Sequence, residues 1–391
     1  MIKFPYSRPE ILNSDKEAVL EVLNKGYLTQ GEKLLEFEDK LQSTFKCKNV
    51  IACNSGTAAL HLLYLALGLG PDDGLLTTSI TFLATASAAK MCDAPVILAD
   101  VDPISGLLTP ENVEKAIIKS KVKIKVITVV HLAGKICNME GIAEVAKKYG
   151  CMIVEDACHA PGGEYINSKN KHYVVGSCKY SVASTFSFHA IKHISMGEGG
   201  CVTTNDKIIA NKIRRKRNHS MIKEKNKFSI RFEDARPWYY EMQELGWNYR
   251  LDEMSSALGI SQLKRLYSGI EKRKKLAATY CNELKSLKDF ILPAKQSTID
   301  NSVWHLYSVL IDFNKIGMSR GDFMNKLYDI GIGTQVHYIP LFYQPFFKED
   351  PKNYPGAVSY YNSTLSLPMY VSLTNKDINF ISDCIKNIID E

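Results

Sequence analysis

The chain has 391 residues, of which 45% are hydrophobic and 23% are charged, and its formal net charge is +7. This length accommodates a large domain and a smaller one, with ample apolar material for a core. The modest positive excess favours anionic ligands and falls well short of a nucleic-acid-binding profile. The ten cysteines form neither a CxxC motif nor a Cys/His pattern with zinc spacing, so we expect no metal site.

No segment has the character of a signal core or a membrane anchor. The N-terminal residues MIKFPYSRPE contain no apolar core, and no run of 18 or more apolar residues occurs in the sequence. Cys53 and Cys151 lie in apolar strand-like runs, which suits small buried thiols in a reducing compartment. We therefore expect a cytoplasmic protein without a membrane partner.

Helices and strands alternate through the first half of the chain. A helix is predicted for Ser14 to Asn24, a loop for 26–31 and a helix for Glu32 to Phe45. Strands are then predicted at 49–53, 75–78, 95–100, 126–131 and 151–155, with helices that begin near 57 and that cover 82–91, 109–119 and 139–149. Because the strands are continuously apolar, this alternation predicts a mostly parallel sheet covered by helices on both faces.

The second half is predicted to contain a basic helix, a long helix and a second α/β section. The basic helix follows Asp206 and includes Arg214 to Arg217; nucleic-acid binding is one interpretation, and a solvated face is favoured because aromatic residues are not interleaved. The long helix is predicted over 252–285, and the last helix starts at Asn375. We predict a large domain over 1–262, whose first ~30 residues pack near the small domain, and a small domain over 263–391.

The residues whose side chains could take part in catalysis or binding fall at the carboxyl ends of predicted strands, where ligands bind in folds of this kind. Asp156 ends the strand in VEDACHA, and Lys192 lies in the polar corner of STFSFHAIKHISMGEGGC (184–201). The helix that starts at Gly56-Thr57-Ala58 offers free N–H groups to an anion. Taken singly, each feature also has a structural interpretation: a surface lysine in a glycine-rich turn, a helix-capping aspartate, and a capped helix that binds nothing.

Together these residues predict a pyridoxal phosphate site. The Lys192 amine can hold the cofactor aldehyde as an imine, and the Asp156 carboxylate can keep the pyridine nitrogen protonated so that the ring acts as an electron sink. The helix start and the Ser187 hydroxyl supply donors to the phosphate. Phe82 can cover the ring face, and its alternative is a core position.

The chain resembles the sugar-nucleotide aminotransferases of the DegT/DnrJ/EryC1/StrS family almost from end to end. The resemblance is carried by eight motifs in one order: NSGTAAL (54–60), TFLATASA (81–88), VEDACHA (154–160), FSFHAIKHISMGEGG (186–200), GWNYRLDEMSSALGISQL (246–263), WHLY (304–307), GIGTQVHYIP (331–340) and LSLP (365–368). It implies an α/β fold of the fold-type-I pyridoxal phosphate-dependent transferases, similar to aspartate aminotransferase, with a mostly parallel central sheet and a smaller C-terminal α/β domain.

The resemblance also implies roles for individual residues. Lys192 is the catalytic lysine that carries the cofactor, and Asp156 is the partner of the pyridine nitrogen. The other cofactor-binding positions implied are Gly56, Thr57, Ala58, Phe82, His159 and Ser187, together with Asn248 from the neighbouring subunit of a homodimer that shares its sites. The positions implied for the sugar nucleotide are Tyr6, Gly26, Tyr27, Leu28, Thr29, Gly56, Ser187, Asn248, Arg250, His337, Tyr338, Ile339 and Pro340.

Within the family, the chain is most similar to the aminotransferases of pseudaminic acid biosynthesis, on the segments PYS, HLAGKICNM, PWYYEMQELG and QVHYIP. This implies transfer of the amino group of glutamate to C4 of UDP-2-acetamido-2,6-dideoxy-β-L-arabino-hexos-4-ulose. Two alternatives remain: another UDP- or dTDP-3- or 4-keto-6-deoxy sugar as acceptor, and a non-catalytic regulatory or nucleic-acid-binding protein. Met196 and His219-Ser220 depart from the usual family pattern, and neither removes a catalytic group. His189 and His193 are predicted to be structural, with Lys192 as the acid–base group.

Overall fold

The computed structural model of the protein describes residues 2–230, 237–293 and 301–390, and its centre is a seven-stranded sheet in the order β1-β9-β8-β5-β4-β2-β3. These strands are β1 (Asn49–Cys53), β2 (Gly74–Thr78), β3 (Val96–Ala99), β4 (Ile124–Val130), β5 (Met152–Asp156), β8 (Ala183–Ser187) and β9 (Gly200–Thr204). Neighbouring strands from β3 across to β8 pair in parallel, and β9 pairs antiparallel to both β8 and β1. The predicted mostly parallel sheet is confirmed.

Helices cover both faces of the sheet, because the alternate residues of each apolar strand face opposite ways. Ile51, Val126 and Val202 belong to a core cluster under α3 (Gly56–Ala66), α4 (Leu83–Lys90) and α7 (Lys207–Arg217). Val50 and Ile127 belong to the larger cluster on the other face. That face is covered by α2 (Glu32–Phe45), α5 (Pro110–Lys119), α6 (Met139–Tyr149) and α8 (Glu253–Leu263), while α1 (Asn13–Lys25) packs against α8.

The parallel strands bring several chain segments to one edge of the sheet. Asp156 is the last residue of β5, and Ser187 is the last residue of β8. The Ser55-Gly56 turn directly follows β1, and Gly200 begins the antiparallel β9 at the same edge. Residues that are far apart in the sequence therefore meet where strand ends converge.

The C-terminal part builds a second, smaller sheet with its own apolar cluster. Strands β12 (Ile291–Pro293), β13 (Tyr307–Ile311) and β14 (Thr364–Leu367) pair antiparallel. They pack with α9 (Leu266–Glu283), α11 (Arg320–Asp329) and α13 (Asn375–Asp390), and Phe4 joins this cluster. The remaining elements are the hairpins β6 (Glu164–Ile166) with β7 (His172–Val174) and β10 (Met221–Ile222) with β11 (Glu241–Met242), and the helices α10 (Phe313–Ile316) and α12 (Pro355–Ser363). The boundary at 262/263 stays a prediction.

The single helix predicted over 252–285 is wrong, because the chain breaks it into α8 and α9. Arg265 leaves the helical region, with φ −113° and ψ 14°. Its guanidinium donates to both carboxylate oxygens of Asp15, at 3.0 and 2.5 Å, and to the carbonyl of Glu10 at 3.0 Å. A long-range ion pair thus accompanies a break that no glycine or proline marks.

Three of the six cations in the basic helix α7 form ion pairs within the described part of the protein. Arg215 and Lys216 both pair with Glu244, and Arg217 lies 2.6 Å from a Glu38 oxygen. The Arg215 side chain is 43% exposed, whereas those of Lys216 and Arg217 are 12% and 14% exposed, so the solvated face expected for Arg214 to Arg217 is only partly present. Within 2–230, 237–293 and 301–390, no helix combines the length and the apolarity needed to cross a membrane.

We expect Asp15→Asn to destabilise the protein by about 1–3 kcal/mol, because Asp15 is fully buried and accepts from Leu12 N–H, Gln262 Nε2 and Arg265. Burial alone would raise the pKa of Asp15, but hydrogen bonds from Arg265 and from Leu12 N–H hold it below its ordinary value. Its stabilisation is therefore present above the pKa of the unfolded carboxyl and is lost as the pH falls.

Urea unfolding measures this loss, and Glu17→Gln on the exposed face of the same helix is the matched control. Equal stability of Asp15→Asn and the control would contradict the assigned role of the pair.

Candidate active site

A cavity of about 700 Å³ opens at the edge of the sheet where the strand ends converge. Eleven of the residues proposed for cofactor or substrate line it: Tyr6, Gly56, Thr57, Phe82, Asp156, His159, Ser187, Lys192, His337, Tyr338 and Ile339. They come from the N-terminal segment, four strand ends and the C-terminal part. The fold thus brings together most of the set that the sequence indicated.

Asp156 is held in one orientation at the floor of this cavity. It is 7% exposed, and its Oδ2 accepts a hydrogen bond from Thr85 Oγ1 at 2.7 Å. Its Oδ1 accepts from the Cys158 N–H at 3.2 Å. Thr85 is itself 3.0 Å from Thr81 Oγ1. Such donors to the charged form stabilise a buried carboxylate.

Lys192 lies in a loop that backbone hydrogen bonds close on itself. Phe188 N–H donates to the Gly199 carbonyl at 2.8 Å, and Lys192 N–H donates to the His189 carbonyl at 2.8 Å. Burial lowers the pKa of the Lys192 amine, while Cys158 and Asp156 act in the opposite direction. A larger neutral fraction makes the amine a better nucleophile and base.

The start of α3 and Ser187 form a narrow space, the cradle, that leaves no room for a side chain at positions 56 and 200. A Cβ on Gly56 would lie 2.9 Å from the Ser187 Cβ, and a Cβ on Gly200 would lie 2.4 Å from the Ser55 carbonyl oxygen. Ser55 caps the helix by accepting from the Ala58 N–H at 3.0 Å. The Gly56 and Thr57 N–H groups of this first turn, together with the Ser187 hydroxyl, remain to bind an anion.

Burial keeps His159 and His193 neutral. His159 accepts the Ala133 N–H on Nδ1 at 3.2 Å, and its Nε2 lies 3.2 Å from the Tyr338 hydroxyl. Burial lowers the pKa of His159 and of His193 well below the ordinary value. The His193 ring lies 5.5 Å from that of His305, while His189 is more exposed at the cavity rim. Structural roles for His189 and His193 stay a prediction.

Eight of the proposed site residues do not line the cavity. Ala58 and Pro340 are buried beside it. The others lie on a separate surface: Gly26, Tyr27, Leu28, Thr29, Asn248 and Arg250. There the Glu253 N–H donates to the Leu28 carbonyl at 3.0 Å, and Arg250 Nη1 donates to Asn218 Oδ1 at 2.5 Å. We call these six residues the distal group.

Several residues in or beside the cavity were not predicted from the sequence. Thr85 anchors Asp156, and Glu198 and Gln335 line the cavity wall. The available signal for Thr85 was a polar residue among the small apolar residues of α4, four positions after Thr81, which precedes this helix. Cys158 also lines the cavity, and burial raises its pKa well above the ordinary value.

These features fit pyridoxal phosphate. The cradle, from which a side chain is excluded at Gly56 and Gly200, suits a phosphate, and the anchored Asp156 suits a ring nitrogen that must stay protonated. Lys192 and Asp156 face the same cavity. The fold and the site together define a pyridoxal phosphate-dependent enzyme.

Comparison with known proteins identifies the family. The sequence matches the DegT/DnrJ/EryC1/StrS aminotransferase family over residues 9–386. It is 34% identical over 388 residues to the UDP-4-amino-4,6-dideoxy-N-acetyl-beta-L-altrosamine transaminase of Campylobacter jejuni, covering 99% of this chain and 97% of the relative. It is 33% identical over 391 residues to the spore coat polysaccharide biosynthesis protein SpsC of Bacillus subtilis, covering 98% and 97%.

Among solved structures, Helicobacter pylori PseC, an aminotransferase involved in the biosynthesis of pseudoaminic acid, has a TM-score of 0.88, 31% identity and 99% coverage of both chains. The chain belongs to the DegT/DnrJ/EryC1/StrS aminotransferase family. It is an aminotransferase, its cofactor is pyridoxal phosphate, and it acts on small molecules. When bound, the cofactor supplies an aldehyde for the amino group and a ring that takes up electron density from the reacting carbon.

We expect Thr85→Val to lower turnover about 10-fold, because one carboxylate oxygen of Asp156 loses its hydroxyl donor without a change of side-chain size. Asp156→Asn removes the charge itself and should lower turnover by about 10²-fold or more while leaving cofactor binding possible.

The measurement is turnover together with the absorbance of the bound cofactor. Ser87→Ala is the matched control, since its hydroxyl bonds the Ala84 carbonyl on the same helix. If turnover of Thr85→Val equals that of this control, the hydrogen bond from Thr85 to Asp156 has no importance for catalysis.

Proposed function

We propose that the protein transfers the amino group of glutamate to C4 of UDP-2-acetamido-2,6-dideoxy-β-L-arabino-hexos-4-ulose. The product is UDP-4-amino-4,6-dideoxy-N-acetyl-β-L-altrosamine, an intermediate of pseudaminic acid biosynthesis. The likeness to the Campylobacter transaminase and to PseC supports this substrate. The observation that carries the proposal is the placement of Lys192 and Asp156 in one cavity whose walls include Tyr6 and His337.

The cavity has the size and lining that a nucleotide sugar requires. Its volume of about 700 Å³ lies within the usual range for small-molecule sites. The aromatic side chains Tyr6, Phe82 and Tyr338 line it, and the Tyr6 ring lies 5.5 Å from that of His337. Flat apolar faces with a few polar edges suit the stacking of a sugar or a base.

Lys192 performs the proton transfers in this proposal. Its partly desolvated amine takes the proton from the α-carbon of glutamate and later gives a proton to C4 of the sugar. Asp156 would face the ring nitrogen, and the cradle at Gly56, Thr57 and Ser187 would hold the phosphate. Because 2-oxoglutarate must leave the shared cavity before the ketosugar enters, we expect ping-pong kinetics.

The likeness to SpsC favours a second candidate, an aminotransferase for another UDP- or dTDP-keto sugar. Such an enzyme would share the cofactor residues and differ around the sugar. A regulatory or nucleic-acid-binding function has no comparable support, because Arg215, Lys216 and Arg217 are engaged in ion pairs.

We also propose a homodimer in which the distal group completes the cavity of the partner. In one chain the distal group lies outside the cavity, and Tyr27 and Leu28 in it are 79% and 44% exposed. Trp238 and Leu245 add exposed apolar surface, at 75% and 65%. Large exposed apolar side chains favour an interface. Asn248 and Arg250 would then reach the partner's site.

A cytoplasmic location is part of the same proposal. All ten cysteines are free thiols in the structure, and five of them are buried. Unpaired thiols suit a reducing compartment. Nucleotide sugars and glutamate would meet the enzyme there.

The function is tested by incubating the cofactor-loaded protein and ¹⁵N-glutamate with a panel of UDP- and dTDP-linked 3- and 4-keto sugars. We expect ¹⁵N at C4 of the UDP-linked L-altro product, read by NMR, and complete loss of transfer in Lys192→Ala because the acid–base amine is gone. The exposed Lys207→Ala is the control variant. Preferred amination of a dTDP sugar, or amination at C3, would contradict the proposed substrate.

The dimer is tested with mixed dimers of Lys192→Ala and Asn248→Ala chains carrying two different tags. Each variant alone should be nearly inactive, whereas the purified mixed dimer has one intact site and should show about half the native activity. A mixed dimer no more active than its parents would refute a site shared between subunits.

A further inference from the structure

The Tyr338 hydroxyl stands in the cavity with a single hydrogen-bond partner among the described residues. Its Oη lies 3.2 Å from His159 Nε2. The Tyr338 ring lies 5.9 Å from that of Phe82, and the side chain shares the cavity wall with Lys192 and Asp156. Whether this hydroxyl is a donor or an acceptor toward His159 depends on the tautomer of the imidazole.

The backbone fixes that tautomer. The Ala133 N–H donates to His159 Nδ1 at 3.2 Å, so Nδ1 carries a lone pair and no hydrogen. Burial and the charge of Lys192 lower the pKa of His159 well below its ordinary value, so the ring is neutral. A neutral imidazole that accepts on Nδ1 carries its hydrogen on Nε2. His159 therefore donates to Tyr338.

The turn that presents the Ala133 N–H is held in a strained conformation. Ala133 has φ 62° and ψ 8°, in the left-handed region, where an L-residue loses about 1–2 kcal/mol. The next residue, Gly134, has φ 87°, and a Cβ there would lie 3.0 Å from the His159 carbonyl oxygen. Strain that surrounding packing maintains beside a cavity points to a functional requirement.

Since His159 donates, the hydrogen of the Tyr338 hydroxyl is left for a ligand in the cavity. We propose that Tyr338 is a further catalytic residue, which donates this hydrogen bond to the carbonyl oxygen of the keto substrate. As the amino group to be transferred adds to the carbonyl carbon, the C=O electron pair moves onto this oxygen, which later leaves as water. His159 and Ala133 are positioning residues that keep the phenol turned toward the substrate. Burial and the nearby Asp156 raise the pKa of Tyr338, so the phenol keeps its proton at neutral pH. The inference rests on the ketone chemistry of the proposed function.

Tyr338→Phe removes only the donor. Loss of one preorganised donor to a developing oxyanion lowers kcat by roughly 10²-fold, and we expect this with little change in KM and with normal cofactor absorbance. Exchange of ¹⁵N between glutamate and 2-oxoglutarate should slow by a similar factor, because the carbonyl of both ketones occupies the same place. Native kcat in Tyr338→Phe, or a rise in KM alone, would overturn the proposal.

Two substitutions of His159 separate positioning from packing. In His159→Gln the amide oxygen can accept from the Ala133 N–H while the amide nitrogen donates to Tyr338, as the imidazole does. In His159→Glu both oxygens accept, so the Tyr338 hydrogen is diverted from the substrate. We expect kcat to fall far less in His159→Gln than in His159→Glu, which should resemble Tyr338→Phe. The reverse order, or equal losses, would refute the positioning role.

The tautomer is measured directly by ¹⁵N NMR of histidine-labelled protein without cofactor. His159 should show a hydrogen on Nε2 and none on Nδ1 from about pH 6 to 9. A hydrogen on Nδ1, or a doubly protonated ring, would overturn the inference. Neither this spectrum nor the glutamate exchange uses a sugar, so failure of the ketosugar assay alone would reject the proposed substrate and leave the role of Tyr338 standing.

Discussion

The carboxylate of Asp156 is held on two sides, by the Thr85 hydroxyl and by the Cys158 N–H, at the carboxyl end of the β5 strand. These two hydrogen bonds hold the carboxylate in one orientation at the cavity. The other functional groups are arranged around it: the Lys192 loop, the phosphate cradle, and the pair His159 and Tyr338.

A second constraint is the close approach of three backbone segments at the same edge. Gly200 lies against the Ser55 carbonyl, and Gly56 lies against Ser187, so that β8, β9 and the start of α3 share a space without side chains. This close approach leaves the space at Gly56, Thr57 and Ser187 that suits an anion. It also fixes the point at which the chain leaves β8 and enters the Lys192 loop. Binding and catalysis therefore depend on the same strand register, since β8 and β9 pair from Ser184 to Ser187.

Much of this architecture could be predicted from the sequence, because apolar strands alternating with helices specify a parallel sheet and polar residues after such strands mark its binding edge. Lys192, Asp156 and Ser187 were found in this way. The resemblance added the roles of residues that local patterns do not reveal, such as His337. Its prediction for Asn248 concerns a second chain, and in one chain the whole distal group lies outside the cavity.

What the sequence could not reveal depends on contacts between distant residues. The break between α8 and α9 accompanies the pairing of Arg265 with Asp15, about which helix propensity says nothing. The orientation of His159 depends on an alanine in a left-handed conformation, which sequence statistics would assign to glycine. Thr85, which donates to Asp156, lies in a helix of small residues. Only the folded structure shows which residue of this helix faces Asp156.

In the proposed function, Asp156 keeps the ring nitrogen of the cofactor protonated. The most direct measurement is the ¹⁵N NMR spectrum of the protein loaded with pyridoxal phosphate labelled at that nitrogen. We expect a protonated nitrogen up to about pH 9 in the native protein and loss of that proton in Asp156→Ala. An unprotonated ring nitrogen at neutral pH in the native protein would contradict it.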